Sequence, residues 1–299
     1  MAAIRSVSVV IANLNCPVLD QGLAALCRQQ LPAEIAVETI VVGRDAPNCL
    51  QRFPWVRFIE TDRPLWPAAA RNRGIREASG ELIASLDADC VPSPHWIAAL
   101  VAAHETHGER VVVGGGICVE SANLWALADN LASFNRYLPS RPAGPVVQVP
   151  AANLSARRAL FEEIGPFDER LRIGEDTDWT MRARRAGVRL LFEPRAVVWH
   201  NTMRRSPAAV IAHGYEWGYH AARNRTRYAL ELGTPWVLRH WWATAAAAPL
   251  IATATTAAIY LRNPGAIRYI KAAPIVWLAK LAWCVGAARR LAGGACSSN

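Results

Sequence analysis

Short apolar runs alternate with stretches of helical periodicity along the first third of the chain. The pattern predicts buried strands at four apolar or β-branched runs, at 7–11, 35–42, 56–59 and 81–86. Apolar residues at helical spacing predict helices at 19–30, 68–78 and 94–104. Strands that alternate with helices in this way predict an α/β fold, with a mostly parallel, Rossmann-like sheet flanked by helices.

The pattern is less regular in the middle of the chain. We predict strands at 111–113, 117–119, 188–192 and 196–199, a loop at 139–145, and helices at 124–137, 157–164, 177–186 and 206–232. Two long apolar runs follow, 241–261 without a charge and 272–288 with only Lys280. We therefore expect a catalytic domain at 1–205, a helical connector at 206–235 and hydrophobic, basic helices at 236–299.

The charge of the chain is concentrated in this last segment. The 299 residues carry a formal net charge of +9. Residues 236–299 contain seven basic side chains and no acidic one, whereas 1–235 contain 26 basic and 24 acidic ones. Basic residues interleaved with long apolar runs favour a membrane surface over a nucleic acid as the partner. We expect no nucleic-acid partner.

The C-terminal quarter has the composition of a membrane-associated segment. Five of the 12 tryptophans lie there, and 241–261 reaches the length of about 20 residues that spans a bilayer. Basic residues lie on both sides of each apolar run, so they predict no orientation. Three alternatives stay open: a membrane-embedded hairpin, two interfacial helices, and a soluble helical lid on the catalytic domain.

The cysteine spacing and the N-terminal residues predict the cellular compartment of the protein. The seven cysteines show no CxxC pair and no metal-ligand spacing, which predicts reduced thiols. The apolar run at 7–11 is too short for a signal peptide. We therefore expect a protein of the cytosol or of the cytoplasmic face of a membrane.

Two acidic clusters and one histidine carry the candidate chemistry. Asp87 and Asp89 follow a predicted strand, where carboxylates suit Mg²⁺ or Mn²⁺, although a polar exit from a strand has the same pattern. Glu175, Asp176 and Asp178 lie at the start of a predicted helix; one carboxylate is enough for capping, and three within four residues indicate contact with a ligand as readily as capping. His200 ends a predicted strand, where a lone histidine usually has a structural role.

These clusters belong to a longer series of motifs. In chain order the motifs are VSVVIANLN at 7–15, ARNRG at 70–74, GELIASLDAD at 80–89, PSPHW at 92–96, NLS at 153–155, GPFD at 165–168, GEDTD at 174–178 and PRAVVWH at 194–200. Together they resemble a family 2 glycosyltransferase with the GT-A fold, over about two-thirds of the chain.

The resemblance implies a nucleotide-sugar donor and a role for each matching residue. Asp89 and His200 would hold the metal, Asp87 would contact the ribose or help to place the metal, and Asp176 would be the general base. The reaction would be a single displacement with inversion at the anomeric carbon. The remaining motif residues implied in substrate binding are Arg71, Asn72, Asn153, Glu175 and Asp178.

Departures from the family pattern leave some roles open. An Asp that binds the nucleotide base commonly follows the second strand, where this chain has Gly43; Asp45 replaces it if the loop is shifted. Arg71 and Arg73 contact phosphates or form a solvated helix face. No QxxRW-like motif follows His200, which disfavours a processive synthase.

We therefore expect a metal-dependent transferase that acts on a lipid-linked or glycan acceptor, of a kind used in cell-envelope polysaccharides. The alternatives are a catalytically inactive membrane-bound scaffold with the same fold and a sugar nucleotidyltransferase. The sequence leaves the oligomeric state, the sugar and the acceptor open.

Overall fold

The structure, a computed structural model, describes residues 3–295 and contains one mixed sheet. Its strands are β1 (Ser6–Leu14), β2 (Ala36–Arg44), β3 (Arg57–Glu60), β4 (Leu82–Asp87), β5 (Cys90–Pro92), β6 (Val111–Cys118), β7 (Gly144–Pro145), β8 (Asn153–Arg157) and β9 (Arg189–His200). Valine, isoleucine and leucine side chains fill β1, β2 and β4, which are buried on both faces, as the continuous apolar runs predict.

The described residues also form α-helices. They are α1 (Leu19–Leu26), α2 (Pro67–Glu77), α3 (Trp96–His107), α4 (Leu124–Phe134), α5 (Arg158–Ile164), α6 (Glu175–Arg185), α7 (Pro207–Arg227), α8 (Trp241–Ala246), α9 (Ala248–Arg262) and α10 (Ala273–Ala295). Short 3₁₀ turns lie at Cys49–Arg52, Asn135–Tyr137, Trp236–Arg239 and Pro264–Ala272.

The strand order confirms the predicted α/β class and refines the sheet. The order is β3-β2-β1-β4-β8-β6-β9-β5, with β7 paired to β9. Strands β1 to β4 pair in parallel, as expected. β8 pairs antiparallel with both of its neighbours, and β5 and β7 pair antiparallel with β9. The sheet is therefore parallel in its N-terminal half and mixed in the rest, rather than mostly parallel throughout.

Several element boundaries differ from the predicted ones for identifiable reasons. β8 and β5 were not predicted, because the polar sequence NLSAR and the three residues of β5 carry no apolar run. The two predicted strands at 188–192 and 196–199 form the single strand β9, despite Pro194. α6 begins at Glu175, two residues earlier than expected, because Gly174 adopts a left-handed conformation immediately before it.

The chain divides into two compact units. The N-terminal unit comprises Met1–Cys118 and Tyr137–Asn201, and the C-terminal unit comprises Val119–Arg136 and Thr202–Asn299. The segment that contains α4 thus groups with the C-terminal helices, whereas the sequence suggests a continuous domain at 1–205. Each unit has its own buried core.

In the C-terminal unit, α7 and α10 approach each other closely. A Cβ atom on Gly218 would lie 1.9 Å from the carbonyl oxygen of Trp283, and one on Gly286 would lie 2.0 Å from that of Tyr215. Only glycine permits this backbone contact. Asp129 on α4 accepts hydrogen bonds from Arg204 and His213, so α4 is tied into the same unit.

The two apolar runs of the C-terminal unit form different structures. The run at 241–261 breaks at Ala247, which leaves helices of 6 and 15 residues, both shorter than a bilayer span. Within residues 3–295, one helical segment, Pro264–Gly293, is long and apolar enough to cross a membrane. In its most apolar stretch, 44% of the residues are buried inside the protein.

Candidate active site

Polar side chains meet at the edge of the sheet where β1, β2 and β4 end. These strands are parallel neighbours, so their carboxyl ends lie together, which is where ligands bind in open α/β sheets. Asn13 donates to the carbonyl oxygen of Arg44 at 2.7 Å, and Asn15 accepts from the backbone N–H of Ala46 at 2.8 Å. These bonds hold the loop after β2 against the loop after β1.

Asp45 is the first residue after β2, because the strand extends to Arg44 and not only to Val42. Its Oδ2 accepts from the N–H of Leu50 at 2.7 Å, whereas its Oδ1 is buried and has no hydrogen-bond partner. A buried carboxylate oxygen without a partner is costly, and a ligand that donates a hydrogen bond would satisfy it.

Gly43 is a glycine for a structural reason. It lies inside β2 opposite Asn13, with a φ of 135°, and a Cβ atom there would lie 1.9 Å from the carbonyl oxygen of Asn13. No side chain fits at this position. Contact of Asp45 with the nucleotide base, which the shifted-loop alternative expects, stays a prediction.

The Asp-Ala-Asp motif leads from β4 into β5, and β5 pairs with the end of β9. This pairing sets Cys90 opposite His200 and brings the His200 Nε2 atom to 3.5 Å from the Asp89 Oδ1 atom. The ligand atoms of Asp89, Cys90 and His200 all lie within 4.8 Å of one another. A carboxylate with an imidazole is a donor set that suits a divalent first-row cation such as Mn²⁺.

Cys90 is a neighbour of this site that the sequence analysis does not predict. It directly follows Asp89 and is fully buried. Burial raises the pKa of its thiol well above the ordinary value, and the charges of Asp89 and Asp87 raise it further. The thiol is therefore protonated at neutral pH, and the carboxylate and the imidazole are the better ligands.

Arg71 joins the two acidic motifs. Its guanidinium donates to Asp87 Oδ1 and to Glu175 Oε1, each at 2.5 Å. The Arg71 side chain is only 5% exposed, whereas Arg73, two residues later on α2, is exposed. The solvated-face alternative thus holds for Arg73 and is wrong for Arg71, which links the end of β4 to the start of α6.

The carboxyls around Arg71 have perturbed acidities. Burial raises the pKa of Glu175 to about 7; Arg71 opposes this rise, while Asp176 and Asp87 add to it. Burial also raises the pKa of Asp176, against hydrogen bonds from backbone N–H groups. A buried group of carboxyls with raised pKa values is typical of sites that transfer protons.

Asp176 is held by the backbone. Its Oδ2 accepts from the N–H of Ala151 at 3.1 Å, and its Oδ1 accepts from the N–H of Thr177 at 2.6 Å. The carboxylate is half-buried, so it is oriented by these bonds and still reachable from solvent. An oriented carboxylate with a raised pKa is a better proton acceptor than an ordinary aspartate.

Three predicted substrate-binding residues make hydrogen bonds within the fold. Asn72 exchanges two hydrogen bonds with the backbone of Phe167, both at 2.9 Å. Asn153 donates to two backbone carbonyls and accepts from Trp96, and its side chain is fully buried. Asp178 pairs with Arg182 one turn later on α6. These contacts place the three side chains as supports of the surrounding loops, and contact with a substrate stays a prediction.

The structure thus brings Asp87, Arg71 and Glu175 into direct contact and sets Asp89 beside His200. Sequence reasoning misses the bridging function of Arg71 and the proximity of Cys90. The apolar neighbours of Arg71 on α2, Ala68 and Ala70, were a usable signal that this arginine faces inward. Nothing in the sequence indicates which carboxylates it contacts.

This chain matches a protein-family model and several curated proteins. The model of Glycosyl transferase family 2 matches residues 8–165. The Pre-mycofactocin glycosyltransferase of Mycobacterium tuberculosis (strain CDC 1551 / Oshkosh) is 35% identical over 141 residues, which cover 45% of this chain and 30% of that protein. Glycosyltransferase AglE of Haloferax volcanii is 34% identical over 124 residues, 42% of this chain and 40% of that protein. The matched segment therefore spans less than half of either relative.

Solved structures support the fold over a longer part of the chain. The mannosyltransferase PcManGT from Pyrobaculum calidifontis, in complex with GDP-Man and Mn²⁺, superposes with a TM-score of 0.63 at 20% identity, over 97% of this chain and 88% of its own. GalNAc-T7 with UDP, GalNAc and Mn²⁺ superposes with a TM-score of 0.53 at 17% identity, over 78% of this chain and 52% of its own. The predicted GT-A type of fold is confirmed.

Proposed function

Because the chain belongs to glycosyl transferase family 2, we propose that it transfers a sugar, with inversion, from a nucleotide-sugar donor to a hydroxyl of a membrane-borne, lipid-linked or glycan acceptor. The observation that carries the proposal is the bridge from Asp87 through Arg71 to Glu175. It joins the segment suited to the donor diphosphate to the segment that offers a base.

Asp176 is the base in this proposal. Its carboxylate takes the proton of the acceptor hydroxyl as the oxygen attacks the anomeric carbon, and the bond from that carbon to the diphosphate breaks. Hydrogen bonds from Ala151 and Thr177 keep the carboxylate in one orientation. Arg71 is a positioning residue, because both of its terminal nitrogens are bound to protein carboxylates.

Asp89 and His200 fit a divalent cation, Mg²⁺ or Mn²⁺, by their donor types and their 3.5 Å separation. When bound, the cation supplies Lewis-acid stabilisation of the leaving diphosphate. Asp45 faces the donor base in this arrangement, and its unpaired buried oxygen is the feature that supports this role.

Membrane association is the second part of the proposal, with the C-terminal unit lying at the cytoplasmic interface of a bilayer. Trp236, Trp241 and Trp242 are each about half exposed, which suits a lipid headgroup layer. The burial of α10 against α7 and α4 favours an interfacial position over a lone spanning helix. Flotation with phosphatidylcholine vesicles tests this, and protein that stays in the soluble fraction would contradict it.

Thermal shift against a nucleotide panel, with and without Mn²⁺, tests donor binding. We expect stabilisation by one nucleotide diphosphate, larger when the metal is present. If no nucleotide stabilises the protein even with metal, the inactive-scaffold alternative replaces the enzyme.

Two substitutions separate the proposed roles. Asp176→Asn is expected to keep donor binding and to lower transfer by about 10²–10⁴-fold, the usual contribution of a general base. Asp89→Ala is expected to weaken metal-dependent donor binding instead. Transfer by the Asp176→Asn protein at the wild-type rate would show that another group is the base. Asp168→Asn, which removes the partner of the exposed Arg170, is the matched control.

A further inference from the structure

Three cationic side chains lie near the contacts between α4, α7 and α10 in the C-terminal unit. Lys280, in the middle of α10, donates to the carbonyl oxygen of Ala132 near the end of α4, at 2.6 Å. Arg136 follows Ala132 by one helical turn. Arg225 on α7 lies over the ring of Trp283 at 5.1 Å, and Trp283 follows Lys280 by one turn of α10. Each cation is therefore within a turn of a contact that joins these helices. We refer to Arg136, Arg225 and Lys280 as the cation cluster.

The members of the cation cluster repel one another. Burial lowers the pKa of Lys280 to about 8, and the charges of Arg225 and Arg136 contribute to this shift. Burial lowers the pKa of Arg225 to about 10, and Arg136 lowers it further. Lys280 and Trp283 lie three residues apart on one face of α10, so the contact of Lys280 with α4 and that of Arg225 with Trp283 bring these two cations to the same side of the helix.

No carboxylate among the residues that the structure describes forms an ion pair with the cation cluster. Asp129 is the acidic group whose charge acts on Lys280. Its two oxygens are already bound at 2.6 Å, one by Arg204 and the other by His213. The cluster therefore carries an excess of positive charge that this part of the protein does not offset.

Ordinary structural roles account for only part of this arrangement. A lysine at the end of α4 interacts favourably with the helix dipole, and one cation is enough for that. An arginine stacked on a tryptophan uses the face of the guanidinium and leaves its N–H edge for an acceptor. Neither role explains why two arginines and a lysine lie together without an anion.

We propose that the cation cluster, in the C-terminal unit, is a binding site for the phosphate group of a ligand. Two arginines and a lysine provide the forked and the single donors that phosphate oxygens accept. Arg136 is exposed, and Arg225 and Lys280 are half-buried, so a phosphate can reach the cluster from solvent. The phosphate comes from a soluble anion or from the headgroup of an anionic lipid.

Binding experiments on the full-length protein distinguish these sources. Calorimetric titration with inorganic phosphate and with pyrophosphate, in EDTA so that no divalent cation holds them at the donor site, probes a soluble anion. Co-sedimentation with phosphatidylcholine vesicles, with and without phosphatidylglycerol, probes a lipid headgroup. Binding to either class of probe that depends on the cluster supports the site and identifies the source.

The test compares Arg136→Gln, Arg225→Gln and Lys280→Met with Arg262→Gln, which removes one exposed positive charge at the end of α9. Each cluster variant is expected to bind about tenfold more weakly, the effect of losing one charge-assisted hydrogen bond, and the control to bind almost normally. Because Arg136 is exposed, its variant folds even if the other two do not. The proposal is wrong if no probe binds, or if the Arg136→Gln and Arg262→Gln proteins bind equally.

Discussion

The buried positive charges of the two units have different surroundings. In the N-terminal unit, the single cation Arg71 is buried between Asp87 and Glu175, and both carboxylates are within 2.5 Å of it. In the C-terminal unit, the cation cluster gathers three positive charges, and the carboxylate that acts on it is occupied by other partners. The cation of the first arrangement is paired with carboxylates of its own unit, and the cations of the second are not.

This difference indicates two different uses of a buried charge. A balanced ion pair gains little net stability, because desolvation offsets the attraction, but it fixes the groups that it joins. An unbalanced cluster destabilises the unit that contains it until an anion arrives. We therefore expect opposite responses when one arginine is removed from each unit.

The largest expected effect follows the replacement Arg71→Met. It leaves the buried Glu175 and the partly exposed Asp87 without their cation, and breaking a buried pair such as the one with Glu175 costs about 3–5 kcal/mol. The free energy of unfolding, measured in urea, is expected to fall by this amount.

Arg73→Met is the matched control for that measurement, because Arg73 is exposed on the same helix. Its effect is expected to stay within about 0.5 kcal/mol. Equal losses for the two variants would mean that the bridge contributes no more than an exposed arginine, and the proposed positioning role would fail.

Arg71 also shows how far the sequence predicts the site. Asp87 and Asp89 follow a buried strand in a parallel α/β pattern, which locates them at the carboxyl edge of the sheet. The roles of Asp176 and His200 come from the resemblance to family 2 glycosyltransferases. The partners of Arg71 lie 16 and 104 residues away in sequence. Such long-range pairs depend on how α2 and α6 pack, which local periodicity does not encode.

Dependence on distant partners also explains why the sequence predicts some strands and not others. Strands β1, β2 and β4 are recognisable because they are continuous apolar runs buried on both faces. β8 is equally buried, yet it presents Asn153 and Ser155, whose side chains bond to neighbours across the sheet. Polar residues that are satisfied by distant partners resemble a loop in the sequence.

A pH-dependent change in stability, of intermediate size, tests the raised pKa of Glu175 beside Arg71. Burial raises the pKa of Glu175 from 4.5 to about 7, so between these values the folded protein keeps a proton that the unfolded chain has lost. The stability that this proton confers is present at pH 5 and is lost as the pH rises to 7.

Glu175→Gln removes this titration while it keeps an oxygen that accepts from Arg71. Relative to this variant, the wild-type protein is expected to lose on the order of 1 kcal/mol between pH 5 and pH 7. Urea unfolding across this range measures the difference. Glu162→Gln, which removes an exposed carboxylate of α5, is expected to leave the wild-type pH profile unchanged. Parallel profiles for wild type and Glu175→Gln would contradict the raised pKa.

The smallest expected effect has the opposite sign and lies in the C-terminal unit. Arg136→Gln removes one of three repelling cations, so the free energy of unfolding is expected to rise by a few tenths of a kcal/mol at low ionic strength. Salt screens the repulsion, and the difference is expected to vanish as ionic strength increases. Arg262→Gln, outside the cluster, is expected to show neither change.

Added phosphate is expected to make the wild-type protein more stable than the Arg136→Gln variant. An anion that binds the folded state stabilises it by mass action, and the wild-type protein, with all three cations, gains more than the Arg136→Gln variant. If the Arg136→Gln variant is less stable than wild type at low salt without phosphate, then Arg136 acts like Arg71, as part of an ion pair. The contrast between the two units would then disappear.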